Sequence, residues 1–367
     1  MRVFLIDDRC TELPELPQTL PERGFLWIAS ARREFEVRVG EVQAVLQQCA
    51  GGPLVDLHLS DLLSNQLPSH FDYTSWYDLL VFRRLAAAPG SNGLFLDDAH
   101  GTVSTARQAL ASIDTSPVGF AVFDRVLLTV HPADCLVREF FATRLTQMTV
   151  NGSSNNNGAS RLPPSAADLM LRIVNHMVDG YLELRRLLTR QLTTLQQTLL
   201  GPRSRKVDWT ALLESRNTLH QLEDVCEDQR SAIQEWIDGL DEWPSTEDST
   251  ARRDRELLRV RSRDVLEHIE RVLGHVRRLE SSIESAVQMH FSAVGQRTND
   301  IMRTLTVLTA IFLPLNLITG FFGMNFDALP LIHSATGFWV AAGLMLLLGI
   351  GLSAFFWRKR YLGTHHG

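Results

Sequence analysis

TLTVLTAIFLPLNLITGFFGMNF, residues 304–326, is the stretch on which the fold turns. These 23 residues contain no Asp, Glu, Lys or Arg. As a helix they extend roughly 35 Å at about 1.5 Å per residue, enough to cross a hydrocarbon core about 30 Å thick. A second uncharged run follows from Ala328 to Trp357, most apolar between Gly337 and Trp357, and it ends in Arg358-Lys359-Arg360. A soluble core rarely needs two such runs in succession, so both are read as membrane spans. Arg297 and Arg303 precede the first span, Arg358, Lys359 and Arg360 follow the second, and the short loop between them has no Lys or Arg. The positive-inside rule then predicts both termini in the cytoplasm and the loop outside. Trp339 and Trp357 stand near the ends of the second span, where interfacial aromatics belong.

Within and just before the first span, Asn299, Met302, Thr306, Thr309, Leu313, Asn316 and Gly320 recur at alternating steps of three and four and fall on one stripe. Four of the seven carry a side-chain oxygen. A polar stripe on a membrane helix is expensive unless it faces protein or water. Leu308, Ile311, Phe312, Leu315, Ile318 and Phe322 suit lipid or a neighbouring helix. Met302 and Leu313 interrupt the polarity, and read either as interhelical packing or, repeated as rings, as a constriction that gates by dewetting. Pro314 frees the carbonyl of Ala310, which is tolerated where protein or water satisfies it. Asn325 continues the stripe. From spacing it reads equally as a helix C-cap after Gly323 or as an oxygen donor at the outer mouth.

Upstream the chain looks soluble and charged. MRVFLID and GFLWIAS are short apolar runs, VGEVQAVLQQC has helical spacing, and VGFAVFDRVLLTVHP reads as two strands joined at Phe123-Asp124-Arg125. Residues 1–160 are therefore read as an α+β domain. Asp7 and Asp8 lie inside what would be the apolar core of a signal peptide, so this domain is expected in the cytoplasm. Ser165 is a candidate N-cap with Asp168 at the third helical position. From there the pattern is helical, with breaks at Gly201-Pro202 and Trp243-Pro244-Ser245. Residues 161–250 form a helical hairpin with an acidic turn in this reading. Residues 223–248 hold ten carboxylates against Arg230 alone, which either concentrates cations or is a solvated helix face balanced by neighbouring arginines. After Ala251 the pattern allows one helix of roughly 70 residues, which needs partners along its length. The four cysteines, Cys10, Cys49, Cys135 and Cys226, are widely spaced and read as buried free thiols. Net charge is −6, which gives no global signal for nucleic acid.

Gly323-Met324-Asn325 at the end of the first of two C-terminal spans, followed by a basic tail, resembles the signature of the CorA-type divalent metal ion (magnesium) transporters, a family with ZntB zinc transporters among its relatives. Asn299-Asp300-Ile301-Met302, Phe312-Leu313-Pro314-Leu315, Arg263-Asp264-Val265 and VLLTVHP resemble further family segments. The resemblance is specific over about residues 260–362.

That resemblance implies a funnel-shaped homopentamer in the inner (plasma) membrane. It implies a stalk helix at 251–300, a pore helix at 301–326, an outer loop at 327–336, a second span at 337–357 and a cytoplasmic basic tail at 358–367. It implies a channel and not an enzyme, with no cofactor, passing Mg²⁺ down its gradient, with Co²⁺ or Ni²⁺ as further candidate ions. No P-loop suggests an ATP-driven pump. Its partners would be copies of itself, lipid and divalent cations. Gly323, Met324, Asn325 and Asp327 would form the outer ion site, the seven stripe residues would line the pore, and Asp264 would hold a regulatory metal ion or be half of an ordinary charge pair with Arg263. Many magnesium transporters of the family carry a second acid where this chain has Leu331, and His333 follows, which leaves Zn²⁺ as the alternative ion. A transport-inactive membrane-anchored sensor is the third reading.

Overall fold

The computed structural model describes residues 1–20, 23–87, 113–133, 135–151, 162–200, 209–243, 249–324 and 335–359. The chain divides into two compact units, Met1–Glu284 and Ser285–Gly367. The first unit is built on a seven-stranded mixed sheet in the order β2-β1-β3-β9-β8-β5-β4. Its strands are β1 (Arg2–Ile6), β2 (Cys10–Leu13), β3 (Phe25–Ala31), β4 (His70–Tyr73), β5 (Asp78–Arg83), β8 (Pro117–Val122) and β9 (Val126–His131), and a small second ribbon pairs β6 (Ala86–Ala87) with β7 (Ile113–Asp114). Among the described strands only β3 and β9 pair in parallel, with Leu26 opposite Val126. Both strands are buried on both faces, which explains why FLWIAS and VLLTVH are continuously apolar or small instead of alternating.

Helices α1 (Arg32–Val37), α2 (Val39–Cys49) and α3 (Asp56–Leu63) cover one face of the sheet. Phe35, Val42, Leu46 and Leu62 pack there on Leu26, Ile28, Leu79, Leu128 and Val130. The remaining helices are α4 (Leu136–Asn151), α5 (Ala166–Asp179), α6 (Tyr181–Leu200), α7 (Trp209–Glu242), α8 (Ser249–Phe322) and α9 (Ala335–Arg358). Ser165 caps α5 as expected, its Oγ accepting from Asp168 N at 3.2 Å. Helices α6 and α7 end at Leu200 and Glu242, and the two expected chain breaks that follow lie outside the described residues. The fold is mostly helical, with a mixed sheet and a 74-residue helix that contributes to both units.

Trp236 joins the layers of the first unit. It is 1% exposed, its Nε1 donates to Ser262 Oγ of α8 at 3.0 Å, and it meets Phe71 of β4 edge-on at 5.8 Å. Trp236→Ala is expected to remove about 3–5 kcal/mol of stability, the range for a fully buried aromatic. Ser262→Ala should cost only about 1 kcal/mol, the net value of one hydrogen bond. Thermal unfolding of the purified full chain measures both; a Trp236→Ala protein that melts with the parent would mean this contact carries no weight.

None of the four cysteines forms a disulfide. Burial pushes the Cys10 thiol up to about 11 and the Cys226 thiol up to about 12, so both stay protonated and inert near neutrality.

Candidate ion pathway

The second unit holds the end of α8 and the whole of α9. Each is long and apolar enough to cross a membrane, and their most apolar windows are 6% and 0% buried. A soluble core helix would be covered; these are bare, as helices meant for lipid or for other copies are.

Helix α8 has a covered face and an open one. Val307 is 2% exposed, and Ile311, Pro314, Leu315, Ile318 and Phe322 are partly covered. A Cβ added at Gly349 of α9 would lie 3.9 Å from Leu315 Cδ1, which marks this as the side on which the second span packs. Asn299, Met302, Thr306, Thr309, Leu313, Asn316 and Gly320 are all exposed. At 3.6 residues per turn the last six fall on the opposite side of the helix. The single chain therefore covers the apolar side and leaves the polar stripe open.

The threonines on that stripe present acceptors. Thr306 Oγ1 donates to Met302 O at 2.8 Å and Thr309 Oγ1 donates to Leu305 O at 2.9 Å. With each hydroxyl hydrogen spent on the helix, the remaining lone pairs suit a cation or the hydrogens of its water shell. Thr304 and Thr319 bond their own helix in the same way and lie off the stripe. The helix runs unbroken through Pro314.

At the outer end α8 stops at Phe322. Gly323 N donates to Thr319 O at 2.9 Å, and a Cβ on Gly323 would sit 2.9 Å from that same oxygen, closer than a side chain tolerates. Met324 is 44% exposed. Asn325 and Asp327, together with Leu331 and His333, lie outside the described residues.

Asp264 is on α8 in the first unit. Its carboxylate is 59% exposed and 3.8 Å from His268 Nε2, while His268 Nδ1 is 3.4 Å from Asp179 of α5. The acidic stretch is partly neutralised from α8: Arg277 holds Glu223 at 2.7 Å and also reaches Glu227, and Arg259 reaches Asp241 at 2.5 Å. Among the described residues one further group has metal-ligand character, His220, Glu223 and Glu280, whose donor atoms lie within 4.8 Å of one another. His220 Nε2 already sits 3.1 Å from Glu280. Its i,i+3 spacing to Glu223 is a visible signal, but its third member comes from 57 residues on (280 − 223 = 57).

The family description "CorA-like Mg2+ transporter protein" matches residues 82–360, well over half of the chain. The cobalt/magnesium transport protein CorA of Thermotoga maritima is 29% identical over 100 residues, which is 27% of this chain and 28% of that protein. The putative metal ion transporter YfjQ of Bacillus subtilis is 36% identical over 95 residues, 24% of this chain and 30% of that protein. The chain thus aligns with under a third of the length of these curated relatives. The complete structure of the CorA magnesium transporter from Methanocaldococcus jannaschii superposes with a TM-score of 0.69 at 18% identity, covering 97% of each chain. The full-length CmaX protein superposes at 0.63 and 16% identity, covering 98% of this chain and 97% of that one. At such identities the superpositions speak for the fold, and the fold they share includes both the sheet domain and the long C-terminal helices. With the sequence match running from within the sheet domain through both apolar helices, the chain belongs to the CorA-like Mg²⁺ transporter family, whose members are membrane transporters and not enzymes.

Proposed function

We propose that five copies of this chain surround a water-filled axis and pass Mg²⁺ across the inner membrane, with Asn325 as the outer ion site and both termini in the cytoplasm. The observation that carries the reading is the two-sidedness of α8: its apolar side is covered by α9, and its stripe of amide and hydroxyl oxygens is left open. An open polar stripe in a bilayer needs water or other copies against it, and a closed ring of identical helices supplies both. Neutral oxygens suit a hydrated Mg²⁺, which sheds its water reluctantly and must be released again. Gly323, Met324 and Asp327 complete the mouth around Asn325, and no cofactor enters this scheme.

The test is ion flux into liposomes holding the purified protein, with Mg²⁺, Zn²⁺, Co²⁺ and Ni²⁺ compared. Mg²⁺ flux is expected. Flux of Zn²⁺ without Mg²⁺ would transfer the assignment to zinc transport, and an intact oligomer that passes no ion would make the chain a sensor or partner protein.

Asp264 acts in this scheme as part of a regulatory metal site. It is largely exposed, lies 3.8 Å from His268 Nε2, and sits on the long helix that leads to the first span. A divalent ion that binds Asp264 better in the closed state shifts the population toward closure. Asp264→Ala is therefore expected to raise the internal Mg²⁺ needed for half-closure by about fivefold or more, the lower end of ordinary coupling energies. Flux measured against a series of internal Mg²⁺ concentrations reads this directly, and an unmoved midpoint would make Asp264 structural.

A further inference from the structure

Helices α4, α5 and α8 of the first unit enclose a cleft of about 590 Å³, within the size range of small-molecule sites. Each helix contributes one guanidinium: Arg144, Arg172 and Arg261. Arg172 and Arg261 share a single buried carboxylate. Asp168, whose side chain is 3% exposed, holds Arg172 Nε at 2.9 Å and pairs with Arg261 through its other oxygen. Arg144 has no carboxylate partner among the described residues. Its guanidinium rests 5.5 Å from the centre of the Phe140 ring, which stacks at 4.2 Å on His176. Arg172 is held below its ordinary range by burial and then by Arg144, and Arg261 by burial. Two more carboxylates, Asp179 and Asp264, are 45% and 59% exposed and face His268.

Of the carboxylates at this cleft, buried Asp168 is shared by Arg172 and Arg261, and Asp179 and Asp264, which also line it, face His268, so Arg144 brings a guanidinium that no described carboxylate neutralises. Like charges so placed repel unless an anion lies between them. Guanidinium forks match phosphate oxygens two at a time and tolerate partial burial better than ammonium does. The same cleft has an apolar wall, with Phe141, Leu171 and Val265. Asn175 lines it too, and its buried Oδ1 accepts no hydrogen bond among the described residues, a position able to receive a ligand hydroxyl.

We propose that this cleft binds an organic phosphate of the nucleotide class, with the phosphate held by Arg144, Arg172 and Arg261 and a flat, hydroxyl-bearing body against the apolar wall. The cleft shares Asp264 with the proposed regulatory site, but its arginines take no part in ion permeation, and binding is read without any flux.

The test is calorimetric titration of the full-length protein in detergent with ATP, and separately with inorganic phosphate and with sodium chloride. EDTA is present throughout, so chelation of divalent ions adds no heat. Saturable binding of ATP, tighter than inorganic phosphate and absent for chloride, is expected. Arg144 is exposed and unpaired by any described carboxylate, so Arg144→Ala should fold normally, checked by its melting temperature. It should bind ATP about tenfold more weakly, the loss of one charge-assisted contact. Arg144→Lys should recover part of the affinity. No saturable heat with ATP overturns the proposal, as does ATP binding indifferent to Arg144→Ala. Equal affinity for ATP and inorganic phosphate removes the organic body and overturns the ligand class.

Discussion

Alanine at position 325 is expected to abolish Mg²⁺ flux and leave the oligomer intact. In the proposed assembly one substitution removes five carboxamides at once from the narrow outer mouth. Each acceptor that bonds a water of the hydrated ion contributes about 0.5–1.5 kcal/mol net. Several acting together exceed about 3 kcal/mol, which corresponds to on the order of a hundredfold or more in rate. The helix that leads to it already ends at Phe322, and the turn that follows rests on the Gly323 N to Thr319 O bond of 2.9 Å. Size-exclusion elution should match that of the parent protein while liposome uptake of Mg²⁺ falls to background. Asn325→Gln keeps the carboxamide and moves it by one methylene, so it should retain a measurable fraction of flux. Mg²⁺ uptake preserved in Asn325→Ala would withdraw position 325 from the ion path and leave Asp327 as the candidate for the mouth.

The membrane half of this protein is legible in its sequence because lipid imposes simple rules. Residues 304–326 and 337–357 announce themselves by length and lack of charge, and the stripe from Asn299 to Gly320 by its period alone. Short-range chemistry in the first unit is legible for the same reason: Ser165 caps three residues away, and the turn at Phe123-Asp124-Arg125 joins two adjacent strands. What could not be read is set by distant partners. The parallel pairing of β3 with β9 joins residues about a hundred positions apart, and no local pattern encodes it. Asp168 reads in sequence as a capping residue, yet it is also the buried counter-ion of Arg172 and Arg261, and Arg261 arrives from another helix 93 residues on (261 − 168 = 93). The acidic stretch at 223–248 reads in sequence either as a cation concentrator or as a face balanced by neighbouring arginines, and which arginines balance it is visible only once Arg277 and Arg259 are seen against Glu223 and Asp241.

Leu313→Thr is expected to make the channel leak. Leu313 is 65% exposed on the open face of α8, between Thr309 and Asn316. In a ring of copies its isobutyl group meets its equivalents across the axis, and a ring of hydrocarbon wide enough for an ion but not for its water shell dewets and blocks. Threonine is smaller, and its hydroxyl can bond its own helix as Thr306 and Thr309 do, so the helix should survive the change. A ring of hydroxyls holds water where leucine expels it. Flux at high internal Mg²⁺, where the proposed Asp264 site would hold the parent shut, should then rise by about tenfold or more, which requires only about 1.4 kcal/mol off the barrier. Leu308→Thr supplies the control: Leu308 is 52% exposed but lies off the stripe, and its replacement should leave closure unchanged. Asp264→Ala would also raise flux at high internal Mg²⁺, but only by moving the midpoint of closure; Leu313→Thr should leave a residual flux that no internal Mg²⁺ concentration removes. If Leu313→Thr closes as completely as the parent, the constriction cannot be at this ring, and Met302, 57% exposed and three turns closer to the first unit in sequence, inherits the assignment.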